Sequence, residues 1–182
     1  MSRSIRRPLI ALSIIALPLC LLLTRASAQE VPPKHDNLKL LERFVGAWDE
    51  EMTIKQSPWN PEAKSGAGSI TAKWTLDGRF LEIRSSSKLD GTQGLSIMGH
   101  DMNTDSLRGW FFHSYGFNHV STGTWDEKTK TLSWTGDMGN GMKITSSDKF
   151  TDDDHFEWQF QIKDGNGQVM YDMTGKAKRQ KK

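Results

Sequence analysis

Ile70-Thr71-Ala72-Lys73-Trp74-Thr75-Leu76-Asp77-Gly78-Arg79 reads as a strand followed by its own turn. Ile70, Ala72, Trp74 and Leu76 alternate with Thr71, Lys73 and Thr75, the period of two that puts successive side chains on opposite faces of a sheet. Leu76-Asp77-Gly78-Arg79 then supplies hairpin chemistry, so the run from Arg79 to Lys88 pairs antiparallel with the first strand. Similar punctuation recurs at Asp90-Gly91, from Asp126 to Lys130 and at Asp164-Gly165-Asn166-Gly167. From Trp48 to the C-terminus the chain reads as about ten short strands, most of them carrying an aromatic. Neither a repeat nor a second core interrupts them. This pattern predicts an all-β fold, a single antiparallel up-and-down β-barrel that closes on itself and so removes its edges.

Upstream of the strands, Asn37 is placed to cap a short N-terminal helix in which Leu38, Leu41, Phe44 and Val45 recur at helical spacing. Gly46 ends it, and Gly46-Ala47-Trp48 opens the barrel. Residues 29–36, with Pro32-Pro33, read as a flexible segment, 37–179 as the barrel domain and 180–182 as the end of a basic tail. Residues 1–28 have the form of a cleaved signal peptide. Arg3, Arg6 and Arg7 precede the apolar run Leu9 to Leu23, and Ala26-Ser27-Ala28 supplies the small-residue cleavage site. Arg6-Arg7-Pro8-Leu9-Ile10 loosely matches a twin-arginine signal, although Ile5 precedes the pair. The apolar run is short for a membrane span of about 20 residues, and Arg25 follows it directly, so no stable membrane insertion is expected. The expected product is exported, to the periplasm or beyond it.

Cleavage changes the charge and the redox chemistry. The precursor carries +2, but losing the arginines at positions 3, 6, 7 and 25 leaves a mature chain at about −2. That balance lowers the case for nucleic acid, which needs a basic face to release counterions from phosphates, so no nucleic-acid partner is expected. Cys20 is the sole cysteine and leaves with the signal, so the core must hold without disulfides. Leu19 before it argues against lipidation.

A barrel of this size either fills with side chains or holds one small ligand. Sequence alone does not separate those outcomes, and ligand binding is the leading reading. Trp48, Trp74, Trp110, Phe112, Trp134, Trp158 and Phe160 are the expected ligand-binding residues, burying a small hydrophobic or amphipathic molecule while a few polar groups orient it. Phe156, Trp158, Phe160 and Ile162 form the clearest inward face, opposite His155, Glu157, Gln159 and Gln161, and Val169, Tyr171 and Met173 continue the wall. Between Arg108 and Val120, aromatic groups occupy both faces: Trp110 and Phe112 share one side, Phe111 and His113 the other. One face of that strand pair needs a cover, from the N-terminal helix, a lid between Gln56 and Gly66, a partner chain or a ligand. Glu82 and Arg84 are expected to face water opposite Leu81 and Ile83, because burying the charges costs several kcal/mol per ion; the alternative is an interior pair that orients a carboxylate ligand.

Beyond these readings, the mature domain is similar to the uncharacterised bacterial domain-of-unknown-function 1579 family, a lipocalin-like (calycin-type) group. The likeness runs through Leu41 to Trp48 with its Gly-x-Trp, Trp74 with Leu76-Asp77-Gly78-Arg79-Phe80-Leu81-Glu82, and Gly94 to Asp101. It continues through Gly123-Thr124-Trp125-Asp126-Glu127 and Thr129 to Gly136, with His100 where the family pattern carries a tyrosine. The resemblance implies a calycin-like barrel and, since fold does not fix function, no particular activity.

No motif establishes a reaction, so an enzyme is not the leading reading. A Gly-x-Ser-x-Gly elbow is absent, and Asp164-Gly165-Asn166 fails as a calcium loop because Val169 stands at its glycine position and Gly175 at its glutamate. Asp152-Asp153-Asp154 beside His155 reads as a solvated turn. No cofactor and no metal are predicted. The rival is haem, held by His100, His113, His119 or His155 as in nitrobindin-type barrels, but those continue Gly-x-Trp-x-Gly-x-Gly where this chain has Glu50 and Met52. Further rivals are a small-barrel enzyme on lipid-like substrates and a filled barrel acting as an interaction module. Lys176, Lys178, Arg179, Lys181 and Lys182 read as a frayed, solvated end or a weak contact for anionic lipid.

Overall fold

Each strand's alternation settles where its side chains go, and ten strands in meander order close the sheet. The structure, a computed structural model, describes residues 31–181. The expected signal peptide lies outside the described residues. A four-residue helix, α1 (Leu38–Leu41), runs into a 3-10 turn (Glu42–Phe44). The strands follow: β1 (Gly46–Ile54), β2 (Lys64–Thr75), β3 (Phe80–Ser87), β4 (Gln93–Asp101) and β5 (Ser106–His113). β6 (Asn118–Asp126), β7 (Thr131–Gly139), β8 (Met142–Phe150), β9 (His155–Lys163) and β10 (Val169–Arg179) complete them. Each pairs antiparallel with its neighbours in sequence, and β1 pairs with both β2 and β10, closing the barrel.

The hairpin that decides the fold forms as its sequence predicts. Trp74 pairs with Leu81 across β2 and β3, and the turn between them holds Leu76, Asp77 and Gly78 at φ of 49°, 56° and 73°. Glycine tolerates that left-handed region freely and aspartate better than most residues. Aspartates brace the other turns: Asp126 Oδ1 accepts from the Lys128 and Thr129 amides, and Asp164 Oδ1 from those of Asn166 and Gln168.

The two barrel ends differ. Leu38, Leu41 and Phe44 pack under the sheet with Trp48, Leu81, Phe150 and Phe156, so the N-terminal segment plugs one end. The helix therefore does not cover the outer aromatic face at Trp110 and Phe112. Asn37 differs from its expected role as well. Its backbone is already helical and its side chain makes no capping bond; its amide donates instead to His35 Nδ1 at 3.1 Å.

The C-terminal basic cluster is strand rather than frayed end. Lys176, Lys178 and Arg179 lie in β10, opposite Glu51, Asp49 and Trp48 of β1. Arg179 sits 4.0 Å over the Trp48 ring and donates to the carbonyls of Val45, Arg43 and Asp153. The closing seam needs that stretch of β10, because without it Trp48 to Glu51 of β1 would lose their strand partners. Glu82 and Arg84 lie outside, with Arg84 Nε 2.8 Å from Glu82 Oε1, while Leu81 and Ile83 are buried inside.

Candidate functional site

Above the plug, the inward faces do not meet, and they leave a cavity of about 620 Å³. That is within the range of small-molecule sites. Its mouth lies at the end where β1–β2, β3–β4, β5–β6, β7–β8 and β9–β10 connect. Trp59 of the β1–β2 loop, Tyr115 and Phe117 of the β5–β6 hairpin, and Tyr171 surround the opening. Tyr115 is 74% exposed and Trp59 48%, so two large rings stand in solvent at the rim. Below them Phe111 contacts His113, Phe117 and His119 at centroid separations of 5.1 to 6.2 Å.

The floor is built differently. Trp134 of β7 and Trp158 of β9 lie flat enough to need glycine beneath them. A Cβ at Gly123 would stand 2.7 Å from the Trp134 ring, and one at Gly175 2.5 Å from that of Trp158. Two carboxyls accompany the indoles, Asp148 between them in the strand order and Glu50 on the other side of Trp158. Asp148 of β8 is the direct strand partner of Trp158 and accepts a 3.1 Å hydrogen bond from Trp134 Nε1. Glu50 of β1 is 6% exposed and shares the inward face of Trp48 and Met52. Burial pushes the Glu50 carboxyl up to about 7, with repulsion from Asp148 adding to it, and burial alone pushes Asp148 up to about 7. No lysine or arginine stands on the wall to offset them.

Two buried polar atoms on this wall have no partner, His119 Nδ1 and Ser121 Oγ, whereas the Trp158 indole N–H faces the Glu50 carboxyl and favours its ionised form. Buried polar groups are hydrogen-bonded in the great majority of cases, so two orphans facing one space offer polar contacts to whatever enters it. Burial lowers His119 to about 4, which leaves its imidazole neutral at ordinary pH.

The seven expected lumen residues divide into three groups. Trp134, Trp158 and Phe160 face the cavity, and Trp110 borders it while its ring meets Phe80, 6.2 Å away, on the outer side of the sheet. Trp48 and Trp74 belong to the plugged end. Trp48 is fully buried and donates to the Phe44 carbonyl at 2.8 Å, and Trp74 donates to Glu42 Oε2 at 2.5 Å. Phe112 is 46% exposed on the outer face, since it alternates with the inward Phe111 and His113. Sequence reasoning missed Glu50, Asp148 and Ser121 as site residues. Their signal is parity alone: Glu50 alternates in step with Trp48, and Asp148 with Ile144 and Phe150.

A donor set for a metal ion occurs away from the cavity wall, where His35 and His100 stack with centroids 3.7 Å apart and Asp105 Oδ1 lies 3.8 and 3.3 Å from their Nε2 atoms. The rings are parallel to within 1°. An ion in line with one ring's lone pair is then out of plane for the other, so binding would require His35 to turn.

These features define a class, the calycin-like closed antiparallel barrel with a ligand-sized interior. The chain belongs to the DUF1579 family of proteins of unknown function, which it matches over residues 33–179. No curated protein matches it. Among solved structures it is similar to Rv2717c from M. tuberculosis, with 11% identity and a TM-score of 0.62, covering 82% of this chain and 100% of that one. It is also similar to the S-type phycobiliprotein lyase CPES from Guillardia theta, with 15% identity and a TM-score of 0.56, covering 79% and 92%. At these identities the likeness is one of fold.

Proposed function

We propose that this protein binds one small apolar or amphipathic molecule inside its barrel, by burial rather than by chemistry, and that it does so after export. The observation that carries the reading is the cavity of about 620 Å³ whose wall holds unpartnered His119 Nδ1 and Ser121 Oγ. Apolar walls supply affinity in proportion to the ligand surface they remove from water, about 25 cal/mol per Å², and the orphaned polar atoms supply orientation. A fold shared with a phycobiliprotein lyase is compatible with that reading. The signal-like residues 1–28 support the exported location.

A second reading, acid–base catalysis on a lipid-like substrate, is favoured by one observation: two carboxyls held near neutrality in a closed site. Native mass spectrometry with an absorption spectrum, on protein purified without detergent from the producing cell, tests the binding reading. A retained organic mass of a few hundred daltons is the expected result. A Soret band would move haem, with His119 as its ligand, to first place. An empty protein whose tryptophan fluorescence ignored a broad panel of lipids and aromatics would end the binding reading.

A further inference from the structure

The charges on the cavity wall are of one sign. Glu50 and Asp148 stand at its floor and Asp90 at its rim, and no lysine or arginine lines it. Neither floor carboxyl has an ion-pair partner among the described residues. The two imidazoles on the wall, His113 and His119, are both held toward the neutral form by burial, so they offer no compensating charge. A carboxylate ligand would meet only like charge here. A cation would meet two carboxyls and two indole faces.

The indoles strengthen the case, because tryptophan is the best side chain for a cation–π contact, and aromatic cages beside carboxylates are how proteins hold quaternary ammonium groups. Trp134 is fixed by Gly109 and Gly123 behind it and by its bond to Asp148. Trp158 is fixed by Gly175. Ser121, 5% exposed, aims an unpartnered hydroxyl into the same space. A fixed cage with a spare polar group is a receptacle built in advance of its ligand.

Resting on the binding reading above, we infer that the cavity selects amphiphiles with a cationic head. A protonated amine or quaternary ammonium seats between Glu50 and Asp148 against Trp134 and Trp158, with its apolar body reaching up to the mouth. The outward placement of Glu82 and Arg84 fits this, since it removes the interior arginine that a fatty-acid carboxylate would need.

The test compares three ten-carbon amphiphiles below their micellar concentrations, decyltrimethylammonium, decanol and decanoate, binding the full chain at pH 8 by tryptophan fluorescence and calorimetry. The ammonium is expected to bind about tenfold or more tightly than either of the others. In the Glu50→Gln, Asp148→Asn double variant the preference for the ammonium over decanol, each measured on that variant, should be lost. Equal affinities, or decanoate the tightest, would overturn the charge selection while leaving the small-molecule reading intact. Binding of none of the three to the wild-type protein would remove both. The wild-type comparison decides the matter even if the double variant folds poorly.

Discussion

Glu50 holds a carboxyl where the barrel would otherwise be apolar, and its cost to the empty protein depends on pH. In the unfolded chain Glu50 ionises near 4.5 and Asp148 near 3.8, whereas in the folded barrel both keep their protons up to about 7. Between those values the folded state binds more protons, so stability falls as pH rises from about 4 to 7 and then levels. His119 acts in the opposite sense, its folded value of about 4 lying below the ordinary 6.5, so its contribution is lost as pH falls through that window. Two carboxyls outweigh one imidazole. Glu50→Gln should therefore stabilise the ligand-free protein by on the order of 2 kcal/mol at pH 8 and by little at pH 4, as read by urea unfolding. An equal gain at both pH values would mean that the desolvated charge is not the cause. Little of this was legible in the sequence. Glu50 registers there as a departure from a glycine pattern, and the expense of burying a charge argues for turning it outward. Only the three-dimensional closure reveals that Trp48, Glu50 and Met52 all point in.

At the scale of single elements, β10 does more than complete the count. Its last residue, Arg179, joins the ring of Trp48 to three carbonyls from the 3-10 segment and the β8–β9 turn. Arg179→Met removes those bonds while keeping an apolar stem, and it should destabilise the protein by about 2–3 kcal/mol with a change in Trp48 emission. Gly175, four residues earlier on the same seam, is equally committed. Gly175→Ala would bring a methyl to 2.5 Å from the Trp158 ring and 2.7 Å from the Glu51 carbonyl, so a loss of about 1–3 kcal/mol is expected, with weakened ligand binding because Trp158 must move. If binding survives at full strength, Trp158 is not part of the cage. The strands themselves were readable from alternation and turn residues, as at Phe156 to Ile162. The basic C-terminus was not, because a lysine-rich run looks solvated unless one knows that β1 lacks a partner.

For the whole molecule, the β1–β10 seam joins residues from 119 (Ile54 and Met173) to 131 (Trp48 and Arg179) positions apart, so the barrel closes through its least local contacts. A chain ending before Lys176 should expose two edges and aggregate rather than persist as an open sheet, which size-exclusion chromatography would detect. The meander was legible in the sequence because every connection except the longer β1–β2 loop is a short turn. Whether the interior was filled was not, since that depends on how ten inward faces meet above the plug. Among the described residues the plug fills one end of the barrel and the mouth opens at the other. On the binding reading, a ligand arrives and departs through the same ring of Trp59, Tyr115 and Phe117, so loading and release cross a common barrier. Tyr115→Ala should speed both rates by similar factors in stopped-flow traces and leave Kd nearly unmoved, whereas changes at the floor should act on release alone. The mouth thereby sets how fast the cavity exchanges its contents and the floor how tightly it holds them, so the mouth can drift without disturbing affinity.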